Sequence, residues 1–196
     1  MEKYEKYLEI IDSYLVKFFE QQSPYIFCQK GCSICCEDGE YPFSKIEFNY
    51  IMNGYSQLPE NVKGKIKKNI DKLKKKKAKS KKENFSHKCP FLIEKSCSLY
   101  KYRALVCRSY GLAAFYYTKD GKKKYKLPCC VKKGLNYSSV FDKKEGIFTT
   151  QKWKASGIEI EPVSYNVSLQ YLLDNELTQY LNLDLKEQKV LMDWFE

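Results

Sequence analysis

Apolar side chains recur at three- and four-residue steps near the start of the chain, from Tyr4 to Phe18. That spacing places them on one face of an amphipathic helix. The pattern breaks at Ser23-Pro24. Because proline removes a backbone donor and clashes with the preceding turn, we expect the helix to end there.

Two further helical patterns follow. Ser44 and Glu47 form a capping box, which predicts a short helix that ends near Gly54. A long lysine-rich helix is predicted after Pro59, with a narrow apolar stripe in its first half only. The stripe consists of Val62, Ile66, Ile70 and Leu73. Beyond Leu73 nothing apolar remains to be buried, so we expect that helix to fray there.

Short extended patterns occupy the middle of the chain. FLIEKSCSLY (91–100) is typical of a tight hairpin or loop. AAFYYT and KKYKLP flank Lys119-Asp120-Gly121, a turn sequence that predicts a β-hairpin closed by Cys129-Cys130.

The remainder carries no cysteine. GIEIEPV (157–163) has the pattern of an extended segment. Ser164 is a candidate cap for a helix that carries Val167 and Leu169 to Leu173. Asp184 and Glu187 indicate the start of a last helix, whose apolar residues are Val190, Leu191, Trp194 and Phe195.

These elements predict a mainly helical α+β fold with irregular, metal-tied cysteine loops and a small β-hairpin. We expect one compact domain over 1–196. Its cysteine-cluster core spans about 25–130 and carries a lysine-rich helical insert at about 60–84. Residues 131–196 are expected to form a helical C-terminal extension.

Composition limits the classes of protein that fit. Of 196 residues, 43% are apolar and 15% aromatic, enough to bury a core without cross-links. Acidic residues interrupt the first apolar pattern, so it is not a signal peptide. No apolar run is long enough for a transmembrane helix. We therefore expect a cytoplasmic protein whose thiols stay reduced.

Nine cysteines lie between positions 28 and 130, four of them in CQKGCSICC (28–36). An odd number leaves one unpaired in any disulfide scheme, which favours metal binding. Soft thiolate sites draw sulfur atoms from two or more short loops. The candidate metal ligands are Cys28, Cys32, Cys35, Cys36, Cys89, Cys97, Cys107 and Cys129.

The number of sites stays open at this stage. Four cysteines would fill one four-thiolate site and eight would fill two. Neighbouring side chains in an extended segment point to opposite sides, so Cys35 and Cys36 can hardly serve one ion together. With a single site, Cys130 and one member of that pair are expected to pack rather than to bind.

The motifs CxxxCxxCC, CPFL and CSLYKYRALVCRSYG together resemble the YkgJ-like cysteine-cluster family, described as zinc- or iron-chelating. The resemblance covers about 25–130, a little over half the chain. Ala104 stands where that family has proline. The matching residues are Cys28, Cys32, Cys35, Cys36, Cys89, Phe91, Leu92, Cys97, Leu99, Tyr100, Arg103, Cys107 and Arg108. The resemblance implies metal binding and no particular reaction.

Two kinds of metal centre fit these thiols. Mostly because of the family resemblance, we favour an iron–sulfur cluster (4Fe-4S) with a redox, sensing or metal-handling role. The alternative is a structural Zn²⁺ site, which is more common than an iron–sulfur cluster where four cysteines cluster in a cytosolic protein. Apolar residues flank the cysteines, and Arg103 and Arg108 place positive charge near Cys107. These features suit an iron–sulfur cluster and a zinc ion equally. Thiol redox chemistry is a third, less favoured interpretation.

His87 is the only histidine and precedes Cys89 by two residues. It is either an extra nitrogen ligand or proton donor, or an exposed loop residue; since cysteines are in surplus, we favour the exposed residue. No catalytic triad or phosphate-binding glycine motif occurs, so the sequence assigns no reaction.

Positive charge is concentrated in one segment. Twelve lysines against three acidic residues place +9 of the net +11 between Glu60 and Glu83. The lysine-rich helix is either a solvated surface, which we favour, or a non-specific contact for an acidic partner such as nucleic acid. It has no Trp or Phe on its apolar face, which argues against binding to a membrane surface.

Overall fold

The computed structural model describes residues 1–29, 31–80 and 85–196. The fold is mainly helical α+β with small two-stranded sheets, as predicted. The helices are α1 (Glu2–Gln21), α2 (Ile34–Glu37), α3 (Lys45–Ser56), α4 (Glu60–Lys79), α5 (Leu105–Ser109), α6 (Thr150–Ser156), α7 (Leu169–Leu173) and α8 (Glu176–Tyr180). The strands are β1 (Pro42–Ser44), β2 (Leu92–Ile93), β3 (Ser96–Cys97), β4 (Ala114–Tyr117), β5 (Lys123–Lys126), β6 (Phe141–Asp142), β7 (Ile147–Phe148) and β8 (Gln188–Val190). Short 3₁₀ helices occupy Ser23–Tyr25, Tyr100–Tyr102, Cys129–Lys133 and Leu191–Phe195.

The predicted first helix is confirmed as α1. Its apolar face is buried against the part of the chain that follows the cysteines, where Leu172, Leu181 and Leu185 complete one core cluster. The buried Tyr7 hydroxyl donates to the Leu172 carbonyl oxygen at 2.5 Å. The first and last thirds of the chain are thus packed together.

The predicted capping box at the start of α3 is confirmed. The Ser44 hydroxyl accepts from the Glu47 N–H, and the Glu47 carboxylate accepts from the Ser44 N–H. The helix ends at Ser56, two residues beyond the predicted end near Gly54. A Cβ atom at Gly54 would overlap the Tyr102 ring, so this glycine allows a close approach inside the helix rather than ending it.

Helix α4 is confirmed as the lysine-rich helix, but the predicted fraying beyond Leu73 is wrong. The helix continues to Lys79. Lys77 forms ion pairs with Asp193 and Glu196. These contacts hold the second half of the helix against residues 193–196. The end of the predicted insert, 81–84, lies outside the described residues.

Both predicted hairpins are confirmed. Strands β2 and β3 pair with Leu92 opposite Cys97, and Glu94 and Lys95 adopt positive φ in the turn between them. Strands β4 and β5 pair over four residues, from Ala114 opposite Lys126 to Tyr117 opposite Lys123.

The predictions for the final segment are largely wrong. Residues 184–187 start no helix; instead β8 pairs antiparallel with β1, with Pro42 opposite Val190. Ser168, not Ser164, caps α7, so Val167 lies before that helix. Residues 157–163 form no strand. The pairing of β8 carries the 3₁₀ helix Leu191–Phe195 onto a second core cluster, which also contains Phe43, Ile66 and Phe91.

Candidate metal centre

A cavity of about 530 Å³ lies beside this second core cluster. Its wall is mostly apolar and aromatic and includes Phe43, Phe91, Leu99 and Tyr102. Seven of the nine cysteines line it: Cys28, Cys32, Cys35, Cys36, Cys89, Cys97 and Cys107. All nine cysteines are free thiols in the structure. The structure thus brings two predicted cysteine regions to one cavity.

The first region reaches the cavity through a loop and the short helix α2. Gly31 has a φ of +90°, a left-handed conformation that favours glycine and turns the chain. The Cys36 N–H donates to the Ser33 carbonyl oxygen at 2.8 Å. The Cys35 and Cys36 sulfur atoms are 3.8 Å apart. Both line the cavity, contrary to the expectation that neighbouring thiols face opposite sides, because the segment is helical and not extended.

The β2–β3 hairpin brings two more thiols. The Cys89 N–H donates to the Cys36 carbonyl oxygen at 2.7 Å, which joins this region directly to the first. Cys97 lies on β3 opposite Leu92. Both thiols pack against the second core cluster.

Helix α5 supplies Cys107 from a third direction. The start of this helix is fixed because the Leu105 N–H donates to the buried Glu47 carboxylate at 2.9 Å. Arg108, on the same helix, forms an ion pair with Asp12 of α1. Helix α5 is therefore anchored to both α1 and α3, and Cys107 lines the cavity from this helix.

Four of the lining thiols form a mutually interacting set. Burial raises the pKa of Cys89 to about 12, and it raises the pKa of Cys97 and Cys107 as well. The Cys36 thiol and burial raise the pKa of Cys35. Within the set of Cys35, Cys89, Cys97 and Cys107, every pair is close enough for one thiolate to disfavour the other. Without a cation, this group strongly resists ionisation.

The remaining candidate ligands lie differently. Cys28 and Cys32 are exposed at the cavity, and the Asn136 amide lies 3.6 Å from the Cys28 sulfur. Cys129 and Cys130 begin the 3₁₀ helix Cys129–Lys133 and do not line the cavity. Cys130 is buried.

No three His, Cys, Asp or Glu side chains form a ready-made metal site within 1–29, 31–80 and 85–196. The thiols share a cavity without lying at ligand geometry. Their donor chemistry fits a thiophilic metal or an iron–sulfur cluster, because the set is all sulfur and surrounded by apolar side chains. Binding would require them to move inward.

The two arginines have different roles. Arg103 lines the cavity, and its guanidinium lies 3.6 Å from the centre of the Tyr100 ring. Its charge opposes the effect of burial on the pKa of Cys97 and Cys107. Arg108 instead donates to the backbone of Lys101 and Arg103 and pairs with Asp12. Arg103 is therefore the arginine placed to offset thiolate charge.

His87 is not the exposed loop residue that we favoured from the sequence. It is 9% exposed and lines the cavity. Its backbone forms a bridge with Gly39, which carries the ring inward. Its position two residues before Cys89 was the available sequence signal. Because the chain has more cysteines than one site needs, the sequence favoured an exposed His87 despite this position.

Within the described residues, no helix is both long and apolar enough to cross a membrane. Comparison of the chain with protein-family models, with curated proteins and with solved structures found no match. The resemblance to the YkgJ-like family therefore stays a prediction from the motifs.

Proposed function

We propose that this protein binds a metal centre through clustered cysteine thiolates, and that the centre is a 4Fe-4S iron–sulfur cluster with a redox, sensing or metal-handling role. One observation carries the proposal. Cys35, Cys89, Cys97 and Cys107 come from three separate segments and line one largely apolar cavity. Thiols buried only for packing have no reason to gather at a cavity.

The surroundings of these thiols support a cluster. Apolar and aromatic side chains limit water access, which protects iron–sulfur clusters and tunes their potentials. Arg103 supplies a positive charge beside a site that becomes negative when four thiolates form. We place the protein in the cytoplasm, where thiols stay reduced.

Metal binding and folding should be coupled. Ligand thiols must lose their protons to bind, and burial raises the pKa of Cys89 and Cys107 in the metal-free chain. Binding therefore releases protons and draws the α2 segment, the β2–β3 hairpin and α5 together. The bound metal would stabilise the contacts among these elements.

The alternative is a structural zinc module that presents α4 to an acidic partner. Lysines such as Lys67, Lys68 and Lys75 are exposed on α4. Such a surface binds phosphates without reading sequence, and its affinity falls steeply with salt. Replacement of Lys67, Lys68 and Lys75 with Gln should then weaken nucleic acid binding at low salt.

Anaerobic purification followed by metal and sulfide analysis tests the proposal. We expect iron and acid-labile sulfide in equal amounts, with broad visible absorption. Cys107→Ser should lose the metal, whereas the buried Cys130, outside the cavity lining, offers a matched control in Cys130→Ser. A colourless protein with stoichiometric zinc would establish the alternative. A protein that takes up neither metal under reducing conditions contradicts both.

A further inference from the structure

The buried imidazole of His87 is held in place by its backbone. The His87 N–H donates to the Gly39 carbonyl oxygen at 3.3 Å, and the Gly39 N–H donates to the His87 carbonyl oxygen at 3.2 Å. The Phe85 ring lies against the imidazole, with 5.4 Å between ring centres. The ring is thus fixed in the wall of the cavity.

One ring nitrogen of His87 has a partner and the other has none. Nδ1 lies 3.0 Å from the Lys88 carbonyl oxygen. A carbonyl oxygen only accepts, so Nδ1 carries a hydrogen, and in the Nδ1–H tautomer Nε2 has a bare lone pair. Nε2 is inaccessible to solvent and has no hydrogen-bond partner among the described residues.

An unpaired buried acceptor is costly. Leaving such a group without a partner carries the full penalty of removing it from water. A bound metal would remove that cost. The same arrangement, with one ring N–H on a backbone carbonyl and the other nitrogen free, is the usual orientation of a metal-binding histidine.

His87 also lies among the thiols. It precedes Cys89 by two residues, and the 87–89 segment runs alongside the chain from Cys36 to Gly39 through the Cys89–Cys36 and His87–Gly39 hydrogen bonds. The imidazole and the thiols line the same cavity. A nitrogen donor is therefore available where the sulfur donors meet.

We propose that His87 is a ligand of the metal centre through Nε2, so that the coordination is mixed nitrogen and sulfur. The inference rests on the proposed function, since it assigns a ligand to the same centre. In a zinc site, which takes four ligands, His87 occupies a position that one of the four interacting thiols would otherwise fill. In a cluster, one iron is bound by nitrogen, which raises the reduction potential.

Isotope labelling tests this directly, because the chain has a single histidine. Protein grown with ¹⁵N-histidine carries the label in the imidazole of His87 alone. We expect ¹⁵N hyperfine coupling in the pulsed EPR spectrum of the reduced, iron-loaded protein. For zinc-loaded protein, the Nε2 resonance should shift in the ¹⁵N NMR spectrum when metal is added.

Two substitutions separate a ligand from a packing residue. His87→Phe keeps an aromatic ring in the wall but cannot bind, and it should lower metal affinity by more than about 10-fold. His87→Cys offers a thiolate in its place and should restore most of that affinity.

The possible failures are distinguishable. Metal bound by the thiols with no ¹⁵N coupling or shift overturns this inference and leaves the thiol centre intact. A wild-type protein that takes up no metal overturns both. The labelling measurements use the wild-type chain, so they decide the matter even if a variant fails to fold.

Discussion

Replacement of Glu47 with Ala should destabilise the fold by about 3–7 kcal/mol. The Glu47 side chain is fully buried. One carboxylate oxygen accepts from the Ser44 N–H at 2.7 Å and from the Ser44 hydroxyl at 2.8 Å. The other accepts from the Leu105 N–H at 2.9 Å. This single side chain joins the start of α3 to the start of α5.

The magnitude follows from the donors left behind. Alanine leaves the N–H groups of Ser44 and Leu105 buried and unpaired, at about 1–3 kcal/mol each. Loss of the side-chain atoms leaves a small void, which adds about 1 kcal/mol if the site collapses only in part. Because whole domains are stable by only about 5–15 kcal/mol, this one change removes a large share.

Urea unfolding, followed by circular dichroism under reducing conditions and at fixed metal content, measures the effect. Glu60→Ala is the matched control, since Glu60 is in the first turn of α4 and its side chain is 89% exposed. That change should cost under about 0.5 kcal/mol. An effect of Glu47→Ala below about 1 kcal/mol would refute the assigned hydrogen bonds.

The same residue predicts a pH dependence. Burial raises the pKa of Glu47, and the hydrogen bonds from Ser44 and Leu105 and the charge of Arg108 offset that rise only in part. The folded state therefore holds the proton more tightly than the unfolded state. The stabilisation is complete below the ordinary glutamate pKa of about 4.3 and is lost as pH rises through the folded-state value. The stability advantage of wild type over Glu47→Gln should shrink as pH rises above about 4.3; an advantage that grows would contradict the direction of the shift.

Five further substitutions test the packing and the thiols. Cys107→Ser should lose metal and stability together, whereas Cys130→Ser should keep the metal and cost about 1–3 kcal/mol, as metal analysis and urea unfolding will show. Gly54→Ala should be destabilising by about 1–3 kcal/mol because an aromatic ring already occupies the Cβ position, while Gly64→Ala, with open space in α4, should stabilise by up to about 1 kcal/mol. Ala104→Pro should raise thermal stability by about 0.4–1 kcal/mol, since its φ of −67° suits proline; a loss of folding would argue against the family resemblance.

Local signals in the sequence predicted local structure well. The apolar spacing of α1, the capping box of Ser44 and the turn at Gly121 each depend on neighbouring residues, and each prediction is confirmed. The errors arise where distant segments meet. Strand β8 pairs with β1, almost 150 positions earlier, and nothing within 184–190 indicates that partner.

The candidate site was predictable to a similar extent. The grouping of cysteines indicated a shared site, and seven of them do line one cavity. How the separate cysteine segments meet at the cavity depends on the hydrogen bond between Cys89 and Cys36 and on the anchoring of α5, which are tertiary contacts. The burial of His87 likewise depends on its bridge to Gly39, which is also a tertiary contact.

The pairing of β1 with β8 has a consequence for how the protein is made. Leu191, directly after β8, completes part of the cavity wall, and the Trp194 indole N–H donates to the Phe43 carbonyl oxygen at 3.0 Å. Every cysteine leaves the ribosome before these residues are synthesised, because translation proceeds from the N-terminus. A nascent chain therefore exposes its thiols before the cavity wall is complete. If the proposed metal centre forms, the complete cavity that would enclose it exists only after β8 has paired with β1.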